Sequence, residues 1–432
     1  MSSILTNEGA SIALQTLHQI SLNIAGTQQE IATGRRVSSA EDNAAVWAIS
    51  QTMQADVQGY KRVSDSLSLG SATLAVARDA SETVAELLTE IKGKIVSAQG
   101  ENVDRSKIQS NVDALRDQIG AVVEMAQFNG LNLLKNSDTD TGSGSEAVLG
   151  FLRRDSLGVT GADIDIGKRD LTTNASAISA SGGSYTAGAA SATLDATQSG
   201  TLDASGVAVE TGMGFTLSIF GTDADESRFV QDDLRTTTAT AETRAEMATA
   251  ELRYVARDGD GIGDVMTALA RKWDDYAAKA GIDSSVLSVA ASGTGLNVSS
   301  SVTDGTDTIA VNLNTVSADA DNTIGGGLEI LAGIDVSTAT GATAALTSIE
   351  GLLDYTIAAS AGFGSDQNRL ETQQKFNDKL SDAMISGIGT LVDTDMEEAT
   401  ARLQALNVQQ QLAVQALSIA NTAPQSLLSL FR

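Results

Sequence analysis

Cysteine is absent from the 432-residue chain, and histidine and proline occur once each. Without cysteine there is no disulfide frame and no thiolate chemistry. With His18 as the single histidine, a zinc site of His and Cys is excluded, as is a Ser-His-Asp triad that does not use His18. Aromatic residues make up 3% of the chain, so its cores must rely on Leu, Ile, Val and Ala. Basic residues are also scarce, 28 Lys and Arg against 55 Asp and Glu, for a formal charge of −27. Nucleic acid needs a basic patch and anionic membrane surfaces need basic clusters, so neither is an expected partner. No stretch approaches ~18 consecutive apolar residues, so no membrane span is expected. The start, "MSSILTNEGASIALQTLHQI", has neither a basic n-region nor a continuous apolar h-region, and no cleaved secretory signal is expected. The length allows two or three domains.

What is present is an unusual distribution of charge. Residues 9–29 carry none apart from His18, and residues 403–431 carry none at all. Residues 1–40 balance Arg35 and Arg36 against Glu8 and Glu30, and residues 399–432 hold only Arg402 and Arg432. The negative excess therefore belongs to residues 41–398. Both ends follow a 4,3,4,3,4 spacing, the seam of a coiled coil. The first runs through Ala13, Leu17, Ile20, Ile24, Thr27 and Ile31; the second through Ala399, Leu403, Leu406, Gln410, Ala413, Leu417 and Ala420. Val408, Leu412 and Ile419 form a second stripe. Gln and Asn fill the remaining positions and can hydrogen-bond in a packed interface without the desolvation cost of a charge. The pattern fits either a hairpin within one chain or assembly between chains. The lack of charge on any face favours assembly, because a lone helix pair normally keeps a wet, charged face.

Between the ends, helix is expected from the loop "ATGRRVSSAEDNAA" (32–45) to about residue 99, and again over 104–128. Asp104 is a cap for the second helix, its seam is Ile108, Val112, Leu115, Ile119, Val122 and Ala126, and "NG" at 129–130 is its stop. Residues 136–150 read as loop, 160–173 as a strand or hairpin, 213–221 as a weak strand, 225–280 as helix and 285–340 as strands. Helix resumes near 343. The expected fold is mainly α: N- and C-terminal helices form a coiled-coil or helical-bundle rod, and residues 176–335 are an inserted α+β outer domain.

Several short motifs lack the residues that their chemistry needs. "DGDGIGD" (258–264) has Ile262 and Leu269 where an EF-hand needs an oxygen ligand and a glutamate. "GTG" (293–295) and "GGG" (325–327) lack the context of a dinucleotide site and read as turns. No carboxylate pair sits in a recognisable motif. His18, Trp47 and Trp273 read as packing or capping residues. No catalytic residue, metal or cofactor is expected.

The motifs resemble those of bacterial flagellins. "TGRRVSSAEDNAA", containing Gly34, Arg35 and Asp42, is similar to that family's S-G-x-R-[IV]-x-S-A-x-D-x-A-A. "QFNGLNLL" carries Phe128, Asn129 and Gly130, and "QNRL" is Gln367, Asn368, Arg369 and Leu370. "SIANTAPQSLLSLFR" resembles the family's terminus, with Pro424, Gln425 and Arg432. The resemblance covers residues 1–150 and 343–432. It implies a structural, non-enzymatic subunit that polymerises into the flagellar filament for swimming; a hook–filament junction protein is the alternative, and an enzyme or adhesin in the insert is a rival of another class.

The resemblance further implies inner-tube coiled-coil helices over residues 1–42 and 394–432. Residues 43–175 and 336–393 would form an outer-tube helical rod with a β-hairpin, and 176–335 a surface-exposed domain. Leu17, Ile20, Ile24, Ile31, Leu403, Leu406, Leu412, Leu417, Ile419 and Arg432 would act in assembly. Implied partners are further copies of the chain, an export chaperone, and hook-associated junction and cap proteins. Export through the flagellar type III channel, without signal cleavage, is implied too, with the uncharged ends ordering on assembly. In the segment that faces the innate immune receptor in many flagellins, Glu90 stands in place of an arginine, Lys94 of a leucine and Asn111 of a glutamate, which implies weak recognition.

Overall fold

The computed structural model describes residues 7–155, 158–319 and 321–430, with side chains for all of these except 155 and 423–430. Helices α1 (Glu8–Thr33), α2 (Ala44–Ala98) and α3 (Arg105–Met125) precede a hairpin of β1 (Ser145–Asp155) and β2 (Gly158–Gly167). The centre holds β3 (Tyr185–Leu194), β4 (Ser199–Asp203), β5 (Gly214–Thr222), α4 (Arg244–Thr249), β6 (Arg253–Val255), α5 (Ile262–Ala280), β7 (Ser288–Ser292), β8 (Gly295–Ser299) and β9 (Thr308–Val316). Helices α6 (Ala339–Val392) and α7 (Met396–Leu430) complete the chain. Terminal helices flanking a strand-containing centre are the mainly α class with an α+β insert.

The chain divides into two compact units. The first takes residues up to Asp65, Phe151–Thr160 and those from Gln374 onward. Here α1 and α7 run antiparallel: the Asn7 side chain donates to the Ala420 carbonyl at 2.8 Å at one end, and Thr394 N–H donates to the Gly34 carbonyl at 3.1 Å at the other. Val37, Val57, Ile388 and Val392 make a small core, with Trp47, Met53 and Met384 packed on it. Asn377 is 3% exposed and donates to the Tyr60 carbonyl at 2.8 Å.

The second unit is Ser66–Gly150 with Gly161–Gln373. In α2 the buried residues Leu67, Leu74, Val84, Leu88, Ile91, Ile95 and Ala98 keep a 3–4 spacing. In α6 the same phase runs through Ala342, Ala345, Ile349, Leu352, Thr356, Ala359, Phe363 and Leu370. Such seams make helices of this length stable through packing rather than propensity. The insert contains an antiparallel sheet ordered β3-β9-β5-β6 and a second ordered β4-β8-β7. One core of Phe215, Leu217, Ile219, Leu269, Trp273 and Val311 joins α5 to the strands.

Glu242 is buried against this sheet, where it accepts hydrogen bonds from Thr216 Oγ1 and, at 2.7 Å, Asn314 Nδ2. Burial pushes its carboxyl up to about 7, against the opposing effect of those two donors.

The structure corrects several local expectations. Residues 225–280 are not continuous helix. Thr243 and Glu246 form a capping box, but α4 lasts six residues before Tyr254 and Val255 enter β6 beside β5. Sheet pairing and burial override the helix propensity of "AETRAEMATAEL". The "NG" is not a helix stop: α3 ends at Met125, and Asn129 (φ 52°) and Gly130 (φ 84°) form a tight turn closed by Phe128 and Leu131. Late in α3, Val123 is buried rather than Val122, as the drift of a 3.6-residue helix against a seven-residue repeat requires. Strand β1 begins at Ser145, inside the expected loop, because Val148 is buried.

"GTG" is the tight β7–β8 turn, with Gly293 at φ 58°. "GGG" is instead a close backbone approach. Gly326 donates to the Asn174 carbonyl and Leu328 to that of Thr172, and any Cβ on Gly326 would strike Thr172. In "DGDGIGD", Asp258 accepts from Gly144 N, Asp260 from Tyr254 and Arg257, and Asp264 from Gly261 N, so these carboxylates serve local structure.

Candidate assembly surface

The two charge-free segments meet as α1 and α7. Asn7 caps α1 by accepting from Ala10 N at 3.1 Å, and Gly34, at φ 67°, ends it in the left-handed region that suits glycine. Along the pair, Ile20, Ile24 and Leu406 are buried together, with Leu403 and Ala413 packed on them. Leu17, Ile31, Gln410, Leu417 and Ala420 are half-buried, and Ala399 and Thr27 are buried. The observed seam therefore has the heptad phase read from the sequence.

The seam leaves much of each helix uncovered. Ile12, Leu14 and Leu22 on α1 are exposed, as are Val408, Leu412, Val414 and Ile419 on α7, with Leu412 at 58% and Ile419 at 70%. Gln15, Gln19, Gln409, Gln411 and Gln415 lie exposed between them. Apolar and amide side chains, with no charge to hold water, make a surface suited to burial against other helices. The single chain already pairs these ends as helices, so what stays unsatisfied is their outward faces. Ile12, Leu14, Leu22 and Val414 were not singled out from sequence because they fall outside the heptad. Their signal was the absence of any charge around them.

The loop between α1 and α2 is held by its motif residues. Asp42 accepts from the backbone N–H and the hydroxyl of both Ser38 and Ser39, at 2.9–3.2 Å. The Ser39 and then the Ser38 backbone bonds hold its carboxyl below the usual carboxylate range. Arg35 pairs with Asp393 by a backbone bridge, and Arg36 donates to the Leu391 carbonyl at 2.9 Å. This clasp sets α1 beside α7. Arg36 was not singled out from sequence.

The other motif residues serve local structure in the second unit. Gln367 accepts from Arg78 at 2.7 Å, Arg369 donates to the Asp165 carbonyl at 2.7 Å, and Asn368 is exposed. Phe128, half-buried, flanks the Asn129–Gly130 turn. Glu90 is exposed on α2 and pairs with Lys94 at 3.7 Å; Asn111 is exposed on α3. Pro424 and Gln425 lie in α7 but their side chains, and all of Arg432, fall outside the described residues. His18 is exposed on α1, and Trp273 is buried in the insert core.

A family model described as bacterial flagellin N-terminal helical region matches residues 4–139. A second, bacterial flagellin C-terminal helical region, matches residues 346–431. Flagellin A of Rhizobium meliloti (strain 1021) is 35% identical over 441 residues, covering 100% of both chains. A further flagellin A of Rhizobium meliloti is 33% identical over 433 residues, again covering 100% of both. Among solved structures, flagellar hook associated protein-3 from Legionella pneumophila overlaps with a TM-score of 0.35 at 11% identity, covering 79% of this chain and 98% of that one. No helix among the described residues is long and apolar enough to cross a membrane. Matches at both ends and relatives spanning the whole length favour the filament subunit over the junction protein, and place the chain in the bacterial flagellin family, the structural, non-enzymatic subunits that polymerise into the extracellular flagellar filament.

Proposed function

We propose that the outward faces of α1 and α7 are the principal polymer contacts of this flagellin. The observation that carries this is a helix pair without charge over residues 9–29 and 403–430, whose exposed positions there include seven large aliphatic side chains. Leu17, Ile20, Ile24, Ile31, Leu403, Leu406 and Leu417 hold the pair together. Leu412 and Ile419 meet neighbouring subunits, and Arg432 acts with them in assembly. Residues 1–42 and 394–432 form the inner tube, 43–175 and 336–393 the surrounding rod, and 176–335 the solvent-facing domain. The concentration of negative charge in residues 41–398 supports this partition, since it leaves the ends free of repulsion.

The same exposed strip on α7 suits an export chaperone before assembly, and junction and cap proteins at the filament ends. A chain without disulfides and with one proline suits export as an unfolded polypeptide without signal cleavage. Glu90, Lys94 and Asn111 make the immune-receptor segment a poor ligand: the exposed Glu90–Lys94 pair presents a carboxylate where many flagellins present a guanidinium. Purified, endotoxin-free monomer should activate the receptor weakly, and strong activation would sink this reading.

The direct test of assembly is electron microscopy of the full-length protein beside a variant lacking residues 403–432, after salting-out or seeding. Long filaments from the first and none from the second are expected. Filaments from both would place the contacts elsewhere, and short rings from the full-length chain would favour a junction role.

A further inference from the structure

The register of the outer sheet brings two distant acids together. Asp223 directly follows β5 and Asp307 directly precedes β9, and the two strands pair to their ends at Thr222 and Thr308. Asp225 lies two residues on, in the sequence Asp223-Ala-Asp225-Glu-Ser227. Carboxylate oxygens from Asp223, Asp225 and Asp307 lie within 4.8 Å of one another. That separation is what oxygen ligands on a shell of ~2.4 Å radius allow.

Asp223 is 1% exposed and Asp307 6%. Asp223 accepts from the backbone N–H groups of Ser227 (3.2 Å), Arg228 (2.8 Å) and Phe229 (3.0 Å), and Asp225 accepts from Ser227 N (3.2 Å). Asp307 differs. Among the described residues its carboxylate accepts no hydrogen bond and makes no ion pair, although it is more than nine-tenths buried and faces the other two acids. Arg228, the base on this loop, pairs with Asp304 at 3.7 Å instead. These acids repel one another at a cost that Arg228 offsets only in part. A cation bound between them would remove that cost.

We propose that Asp223, Asp225 and Asp307 bind one calcium-type divalent cation that ties the end of β5 to the start of β9. The donor set is oxygen only, which selects hard cations over zinc or copper. Three carboxylates from an irregular loop and a strand end suit calcium, which accepts irregular geometry, better than magnesium, which demands an octahedron. This site is independent of the assembly surface and would clamp the solvent-facing domain.

The test is scanning calorimetry of full-length monomer, stripped with chelator, with and without millimolar calcium chloride. Calcium at about ten times its dissociation constant should raise the melting transition by about 3–6 °C. Isothermal titration should give one calcium per chain. Asp307→Asn should lose the shift, while its metal-free transition lies at or above that of the parent. Asp225→Asn, at an exposed position, gives a second variant that should weaken the shift. Overturning results are no calcium response in the parent protein, an equal response in the variants, or an equal response to magnesium.

Discussion

Replacing Leu412 tests the proposed polymer contact separately from folding. Leu412 is 58% exposed, so in the single chain a little over half of its side chain remains to be buried by a neighbour. Complete burial of a leucine contributes about 1.5–3 kcal/mol, so the proposed polymer contact at this position would be worth about 1–2 kcal/mol. Leu412→Ala should therefore raise the critical concentration for polymerisation by about 5–30-fold. Leu412→Glu adds the desolvation of a carboxylate, several kcal/mol in a packed interface, and should abolish filaments under the same conditions. Both variants should leave the monomer within about 0.5 kcal/mol of the parent, as exposed substitutions usually do. Sedimentation after seeding gives the critical concentration, and circular dichroism melts give monomer stability. Leu406→Ala is the contrast: Leu406 lies in the buried seam, so monomer stability should fall and the critical concentration rise together. Leu412→Glu polymerising at the parental critical concentration would refute the assignment, and so would a collapse of monomer stability in Leu412→Ala.

Other predictions follow from polar groups in the two units. Glu242 is protonated in both folded and unfolded chains below about pH 4.5; from there to about pH 7 the unfolded chain releases its proton while the fold retains it, so stability falls as pH rises. The loss levels off near 3 kcal/mol above pH 7. Glu242→Gln should stabilise the insert at pH 8 by about 1–3 kcal/mol and flatten this dependence in urea melts; an unchanged pH dependence would count against burial as the cause. Gly130→Ala, at φ 84°, should cost about 1 kcal/mol by the same assay, whereas Asn129→Gly should cost less than half of that. Asn377→Ala should cost about 0.5–1.5 kcal/mol by removing the second hydrogen bond to the Tyr60 carbonyl; a neutral result would mean that water replaces the amide.

The helical frame was legible because long seams repeat without interruption and charge is missing where helices pack. Ile20 and Ile24 on one helix and Leu406 on the other could be placed on heptad seams from spacing alone, although Thr27 and Gln410 interrupt the apolar run. The outer faces were harder to read, because exposure of Ile12 or Val414 depends on which neighbours the single chain lacks. In the insert, local pattern and tertiary demand disagree. The stretch around Arg244 has helical composition, yet the edge of β5 recruits Arg253–Val255 as a strand. The Asp223–Asp307 cluster was invisible for a related reason: 84 residues separate its members, and only the β5–β9 register joins them.

The antiparallel meeting of α1 and α7 also constrains the order in which the chain folds. Asn7 and Ala420 are 413 positions apart. Joining them in an otherwise unfolded chain would cost about 5 kcal/mol in loop-closure entropy, beyond a length-independent constant. The small buried seam of Ile20, Ile24 and Leu406 cannot offset that search by itself. Once the clasp from Arg35 to Asp393 and from Gly34 to Thr394 has formed, the two helices start beside each other and can zip outward from it. The pairing of α1 with α7 is thus expected to follow formation of the clasp. In this topology the helices proposed for assembly come together after the rest of the chain is in place.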